Sequence, residues 1–302
     1  MDTAPVIELE GLTKRYPGSN VDALHDVSLA VREGQIFGFL GPNGAGKSTT
    51  ITMLVDLMGP TSGRIKIFGK EDRGLAGLAI RRDVGYLTGD MALDKALTGW
   101  QQLEYIGHLR GHFNKTYARE LAKRLDCDLA KKIKSLSRGN RQKVGLIAAL
   151  MHKPKLLILD EPTSSLDPLI QIEFNNILLE HKKAGGTTFI SSHVLSEVQE
   201  LCDQVAIIRK GRLVANKPLI EIVSEAPKQV RFTTNAKNPT QYVKGLKGLS
   251  ELKTNGGVSF TYKGNADRLA KALAKTPLTD LTITDTDLEE IFRKYYEGDN
   301  HA

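Results

Sequence analysis

Gly41-Pro42-Asn43-Gly44-Ala45-Gly46-Lys47-Ser48-Thr49 is the stretch that decides how this chain is read. Behind it, Gln35 to Leu40 is a short, nearly continuous apolar run, as expected of a strand buried on both faces. Ahead of it the pattern predicts a helix from Lys47 to about Leu57, stopped by Gly59-Pro60. A glycine-rich turn in that context lets backbone N–H groups turn inward around phosphate oxygens, and the helix N-terminus adds partial positive charge. Lys47 is placed to reach the β- and γ-phosphates, and the Ser48 hydroxyl to bind Mg²⁺. Gly41, Pro42, Asn43, Gly44, Ala45, Gly46 and Thr49 complete the cradle. A glycine-rich turn of purely structural purpose is the competing reading, and the flanking strand and helix weigh against it.

A second apolar run, Leu156 to Leu159, ends in Asp160-Glu161. Two carboxylates at the C-terminal end of a buried strand lie where ligands bind in open α/β sheets. Asp160 suits contact with Mg²⁺, direct or through water. Glu161 is then placed to orient or deprotonate an attacking water. A solvated strand end is the bland alternative, but a phosphate cradle already needs a metal partner.

Around these motifs the 302 residues suffice for one large domain and a small one. The apolar fraction of 40% and charged fraction of 25% are those of a soluble globular protein. The net charge of +7 is scattered rather than blocked, so no nucleic-acid partner is expected. Cys127 and Cys202 match no metal-ligand spacing and read as free buried thiols in a reducing compartment. The N-terminus lacks the basic-then-apolar pattern of a secretion signal, and no run reaches the roughly 18 apolar residues of a membrane span. The chain is therefore expected in the cytosol, with any membrane role carried by a partner.

Val6 to Leu12 and Val27 to Val31 alternate as half-buried antiparallel strands do, and Arg64 to Phe68 and Asp83 to Leu87 read as further strands. From about residue 93 to 153 apolar residues recur at helical spacing (Ala118, Leu121, Ala122, Leu125; Val144, Ile147, Ala148, Met151), which predicts a helical insertion. Pro168 to Lys183 reads as helix, Thr187 to Ser191 as strand, and Gln204 to Ile208 with Arg212 to Asn216 as a hairpin about Lys210-Gly211. Buried strands alternating with helices predict an α/β fold with a doubly wound core. The pattern breaks near Asn216 to Pro227, giving a first domain over 1–217 and a small α+β domain over 228–302. That domain reads strand (Gln229 to Thr233), helix (Pro239 to Leu246), strands (Leu249 to Lys253, Val258 to Tyr262), helix (Ala266 to Ala274), strand (Leu278 to Thr284), a split βαβ order with Asn255-Gly256-Gly257 as hairpin turn. A last helix with a capping box at Thr286 and Glu289 carries Leu288, Ile291, Phe292 and Tyr295 on one face.

Two further strings make a resemblance specific: Leu136-Ser137-Arg138-Gly139-Asn140-Arg141-Gln142 and Ser191-Ser192-His193. With the phosphate loop and the Asp160-Glu161 strand they resemble the nucleotide-binding subunits of ABC transporters over residues 5 to about 217. The resemblance implies a P-loop NTPase core with an antiparallel β subdomain and helical insertion, using ATP and Mg²⁺. It implies that Ser137 and Gly139 bind the γ-phosphate of ATP held by an opposite subunit, in a head-to-tail homodimer or a heterodimer with a paralogue. It also implies that Tyr16 stacks on adenine (a core tyrosine is the alternative), that Ser165-Leu166-Asp167 crosses the dimer interface, and that His193 contacts the γ-phosphate. Two positions depart from the pattern: Arg138 replaces the first signature glycine, and Gly89, followed by Asp90, stands where the family carries a glutamine.

The function implied is ATP hydrolysis powering an integral membrane permease from the cytoplasmic face of the membrane. Leu97-Thr98-Gly99, Leu109-Arg110-Gly111 and the Leu288 to Tyr296 ending are similar to exporter-type subunits. A soluble, non-transport member acting on ribosomes or DNA is the alternative; such proteins carry two nucleotide-binding units in one chain or a long coiled coil. A phosphate-loop kinase would have no use for Ser137 or His193.

Overall fold

The protein, described from a computed structural model, is defined for residues 4–71, 74–89, 91–111, 113–224, 227–254 and 256–285. Asp90, Asn255 and the helix expected from Thr286 lie outside the described residues. The chain divides into two compact units, Met1–Lys217 and Pro218–Ala302.

The first unit opens with β1 (Ile7–Arg15) and β2 (Asp22–Val31), followed by β3 (Ile36–Leu40), α1 (Lys47–Leu54), β4 (Ser62–Ile67), β5 (Lys70–Glu71), α2 (Gly74–Arg82) and β6 (Val84–Leu87). The helical insertion holds α3 (Gly99–Leu109), α4 (Lys115–Arg124), a 3-10 turn at Ile133–Ser135 and α5 (Arg138–Leu150). Then come β7 (Leu156–Asp160), α6 (Pro168–Lys183), β8 (Thr187–Ser192), α7 (Leu195–Leu201), β9 (Gln204–Arg209) and β10 (Arg212–Pro218).

β1, β2, β4 and β5 form an antiparallel sheet in the order β2-β1-β4-β5. The main sheet runs β10-β9-β3-β8-β7-β6, and β9, β3, β8, β7 and β6 are parallel neighbours. Helices on both faces explain why β3, β7 and β8 are buried at every position. Phe37 stacks on Phe189 with centroids 5.7 Å apart. Gly38 follows Phe37, and a Cβ there would meet the Cys202 sulfur at 2.9 Å. The strand order places the C-terminal ends of β3, β7 and β8 side by side, so the loops after them share one edge of the sheet.

Each helix of the insertion is fixed by its own cap. Thr98 and Gln101 form a capping box on α3, the Asn114 side chain caps α4, and Ser137 caps α5. Arg124 at the end of α4 bonds Glu173 and Glu180 on α6, which ties the insertion to the sheet-packed layer. Among the described residues no helix is long and apolar enough to cross a membrane.

The second unit holds α8 (Leu219–Ser224), β11 (Lys228–Thr234), β12 (Leu249–Lys253), β13 (Val258–Tyr262), α9 (Ala266–Ala274) and β14 (Leu278–Asp285). Its antiparallel sheet runs β12-β13-β11-β14, the order of a split βαβ unit. Val230, Phe232, Val258, Phe260 and Tyr262 pack under Leu269 and Leu273 of α9.

Two expectations are corrected. The helix expected over Pro239 to Leu246 is a single 3-10 turn, Pro239–Tyr242, since Thr240, Tyr242, Val243 and Gly245 are poor helix formers. α1 ends at Leu54 rather than Leu57, because Asp56 adopts φ 55° and breaks the helical run.

Candidate active site

β3 delivers the chain into Gly41, whose α-carbon lies so close to β9 that a Cβ would sit 2.4 Å from the Ile208 carbonyl oxygen. The loop turns through Gly44 at φ 79° and Gly46 at φ 111°; at Gly46 a Cβ would meet Leu24 at 2.7 Å. Only glycine combines that backbone with that space. Gly46 is the N-cap of α1 and offers no side-chain bond, so the first N–H groups of the helix remain for another acceptor. They face a pocket of about 170 Å³ lined by Asn43, Gly44, Gly46, Lys47, Ser48, Thr49, Ala23 and Glu161.

Lys47 is 4% exposed, and its Nζ donates to the Gly41 carbonyl at 2.7 Å and the Pro42 carbonyl at 3.3 Å. It also lies 3.3 Å from Glu161 Oε1. The other carboxylate oxygen of Glu161 is 3.2 Å from His193 Nδ1. Glu161 thus stands between a lysine from the β3 loop and a histidine from the β8 loop. Its backbone is at φ 46°, a left-handed conformation that costs a non-glycine residue about 1–2 kcal/mol. Strain of this kind persists where surrounding contacts hold it, and it concentrates at functional sites.

Asp160, at the end of β7, is buried and accepts a 2.6 Å hydrogen bond from Ser191 Oγ. Ser191 Oγ in turn accepts from the Glu161 N–H at 3.0 Å. One serine of β8 therefore orders both acidic residues of β7. Gly89 follows β6, and a Cβ there would stand 3.9 Å from Asp160 Oδ2, so this side of the carboxylate carries no side-chain atom from position 89.

Tyr16 sits in the turn after β1 and is 39% exposed, which removes the core-tyrosine alternative. Its hydroxyl meets Thr49 Oγ1 at 3.2 Å, which brings the ring to the rim of the same loop. Ser137 and Gly139 do not line the pocket. Ser137 Oγ accepts from Asn140 N at 3.2 Å and Asn140 Nδ2 at 3.1 Å. At Gly139 a Cβ would fall 2.4 Å from the Ser165 carbonyl oxygen, so the first turn of α5 packs on the loop after Glu161. Gln142 Nε2 adds a 3.0 Å bond to the Pro162 carbonyl, and Arg138 is exposed.

Sequence reasoning passed over three residues that organise this site: Ser191 as the link between Asp160 and Glu161, Gln142, and Glu197 in α7. The Ser-Ser pair before His193 is the signal for the first, since hydroxyls at the end of a buried strand must find partners. The other two carry no local signal.

The fit to a nucleotide is good on the chain's own features: a buried lysine held by loop carbonyls, a glycine turn in left-handed conformations at Gly44 and Gly46, and an uncapped helix start. The sequence profile of the ABC transporter family matches residues 24–164. The bacitracin transport ATP-binding protein BcrA of Enterococcus faecalis is 31% identical over 301 residues, 97% of each chain. BcrA of Bacillus licheniformis is 37% identical over 236 residues, 77% of this chain and 76% of that one. A solved ATP-binding subunit of an ABC transporter superposes with TM-score 0.64 at 31% identity, over 72% of this chain and 91% of that one. A dimeric bacterial ABC transporter cassette gives TM-score 0.63 at 25% identity, over 70% and 98%. With relatives aligned from end to end and the phosphate loop inside the matched segment, the chain belongs to the ABC transporter family as an ATP-binding subunit with ATPase chemistry.

Proposed function

We propose that this subunit drives an exporter, closing head to tail with a second ATP-binding subunit around two nucleotides beneath a separate membrane-spanning chain. The observation that carries this reading is the bracketing of Glu161 by Lys47 and His193 beside the pocket at the start of α1. ATP supplies the phosphates and the leaving group. Lys47 and the α1 N–H groups hold negative charge, Glu161 takes a proton from or orients the attacking water, and His193 steadies that carboxylate and the γ-phosphate.

Ser48 and Asp160 are the chain's contributions to a Mg²⁺ site. Bound there with ATP, Mg²⁺ would neutralise charge on the phosphates. Tyr16 serves the base from the rim. Ser137 and Gly139 serve the partner subunit's nucleotide, which fits their position away from this chain's own pocket.

A membrane partner is supported by an apolar patch. Leu78, Tyr105 and Leu109 are 59%, 57% and 70% exposed, and Leu78 and Leu109 line a cavity of about 740 Å³ with Arg81, Arg82 and Arg110. Large exposed apolar groups gathered at one place mark an interaction site. Export is our reading of the likeness to two relatives named for bacitracin transport, one of them aligned over 97% of each chain. The test is to load Glu161→Gln protein with ATP and Mg²⁺, measure its mass in solution, and capture it from detergent-solubilised host membranes. A doubled mass and a co-purifying multi-span chain are expected. A monomer that brings down ribosomal proteins or nucleic acid overturns the reading.

A further inference from the structure

Glu197 is a half-buried carboxylate in the first turn of α7 with no role in the chemistry above. Its Oε2 accepts from Thr163 Oγ1 at 2.8 Å and from Ser192 Oγ at 3.2 Å, whose proton it shares with the Val194 carbonyl at the same distance. Both hydroxyl residues are themselves buried, at 4% and 3% exposure. Thr163 lies two residues after Glu161, and Ser192 immediately precedes His193.

We propose that Glu197 is a positioning residue that holds Glu161 and His193 in register, through Thr163 on one side and Ser192 on the other. This inference rests on the reading that Glu161 and His193 act on ATP.

The backbone gives the reason such a device is needed. Glu161 occupies a left-handed conformation, and a strained residue keeps its place only if both flanks are held. Ser191 Oγ holds the upstream flank through the Glu161 N–H. Downstream, the chain is held at Pro162 by Gln142 and at Thr163 by Glu197 and by Gln171, whose Nε2 donates to the Thr163 carbonyl at 3.3 Å. On the other strand, Ser192 Oγ also accepts from Val194 N at 2.9 Å, closing a tight turn whose central residue is His193. One carboxylate oxygen therefore joins the β7 loop to the β8 loop at the point where Glu161 and His193 meet at 3.2 Å. Thr163 also begins the segment that runs to Ser165 and Asp167, so Glu197 couples the same pair to the loop packed on Gly139. Burial raises the Glu197 carboxyl above its ordinary value, opposed by the two hydroxyl bonds and His193 and assisted by the like charge of Glu161.

The test is steady-state ATPase kinetics on purified full-length protein carrying Glu197→Ala, Glu197→Gln or Thr163→Val, with wild type and Glu161→Gln as references. Misplacement of reacting groups by about 1 Å costs on the order of a hundredfold. Glu197→Ala is therefore expected to lower kcat about ten- to a hundredfold while KM for ATP stays within about threefold. Glu197→Gln, whose amide oxygen can accept both hydroxyl protons, recovers most of that loss. Thr163→Val, which removes only one donor, lowers kcat several-fold and decides the matter if Glu197→Ala does not fold. In the Glu161→Gln background, Glu197→Ala causes little further loss. Wild-type kcat in Glu197→Ala or Thr163→Val, with Glu161→Gln inactive, overturns this inference alone; full turnover in Glu161→Gln overturns both it and the function it rests on.

Discussion

α1 and α5 belong to one unit and begin in opposite ways: α1 from Gly46, which has no side chain to cap it, and α5 from Ser137, which is capped through Asn140. At α1 the backbone N–H groups stay available, and Lys47 lies buried behind them at 4% exposure. A phosphate can act as the missing cap there. At α5 the serine oxygen already accepts two bonds from Asn140, so its only remaining capacity is to donate its own proton. The first site is open to an anion along its turn, whereas the second offers a single fixed donor on a finished helix. The difference teaches that the start of α5 is complete within this chain, as the proposed service to a second subunit's nucleotide requires.

The strongest way to break this comparison is Glu161→Gln, which sits on the α1 side. Phosphate release is expected to fall by more than about a hundredfold with ATP binding retained, as for loss of a general base. Normal turnover would remove Glu161 from the chemistry. Next in size, Lys47→Ala should weaken ATP binding about ten- to a hundredfold, since hydrogen bonds to charged groups contribute about 1.5–3 kcal/mol; titration with a fluorescent ATP analogue reads this directly.

The α5 side is sharpened by a pair of substitutions. Ser137→Ala loses a cap worth about 1 kcal/mol, a drop in Tm of about 2–4 °C for a unit of this size, together with about tenfold in turnover. Ser137→Asp keeps the cap but presents a carboxylate, so Tm recovers while turnover does not. Recovery of both would show that Ser137 serves its helix alone.

The smallest effect is a pH dependence of stability. His152 is half-buried and lies beside Arg110, 3.0 Å from its Nη1, and burial first and Arg110 second lower its pKa to about 4. The folded state then holds fewer protons than the unfolded state between about pH 6.5 and 4. Its contribution is present above the unfolded value and is lost as pH falls through that window. Denaturant midpoints measured across it should decline less steeply in His152→Gln than in wild type.

Much of the active site could be read from the sequence because its parts are local. Gly41 to Thr49 and Leu156 to Glu161 are each a strand end with its turn, and the burial of β3 and β7 follows from their unbroken apolar runs. The meeting of Lys47, Glu161 and His193 could be inferred only through the family's likeness, because no spacing along the chain encodes it. α2 escaped notice because Gly74 and Gly77 weaken the pattern over Gly74–Arg82, and α7 because only two residues separate it from the end of β8. β2 begins at Asp22, ahead of the alternation visible from Val27, because the irregular Asp26 at φ 51° shifts the register. Glu197 was invisible for a different reason. Its two partners come from separate loops, and a glutamate in the first turn of a helix is ordinarily read as serving the helix dipole.

The burial of both cysteines has a practical consequence. Burial pushes the Cys127 thiol up to about 11 and raises Cys202 as well. Because the thiolate is the species that reacts, neither competes effectively for a maleimide or an oxidant at neutral pH. A thiol introduced at an exposed position outside the site, such as Lys134, would be modified almost alone in the otherwise native chain. The protein thus comes with a silent background for attaching fluorophores or cross-linkers, and the proposed closing of two subunits could be followed in real time without first removing either natural cysteine.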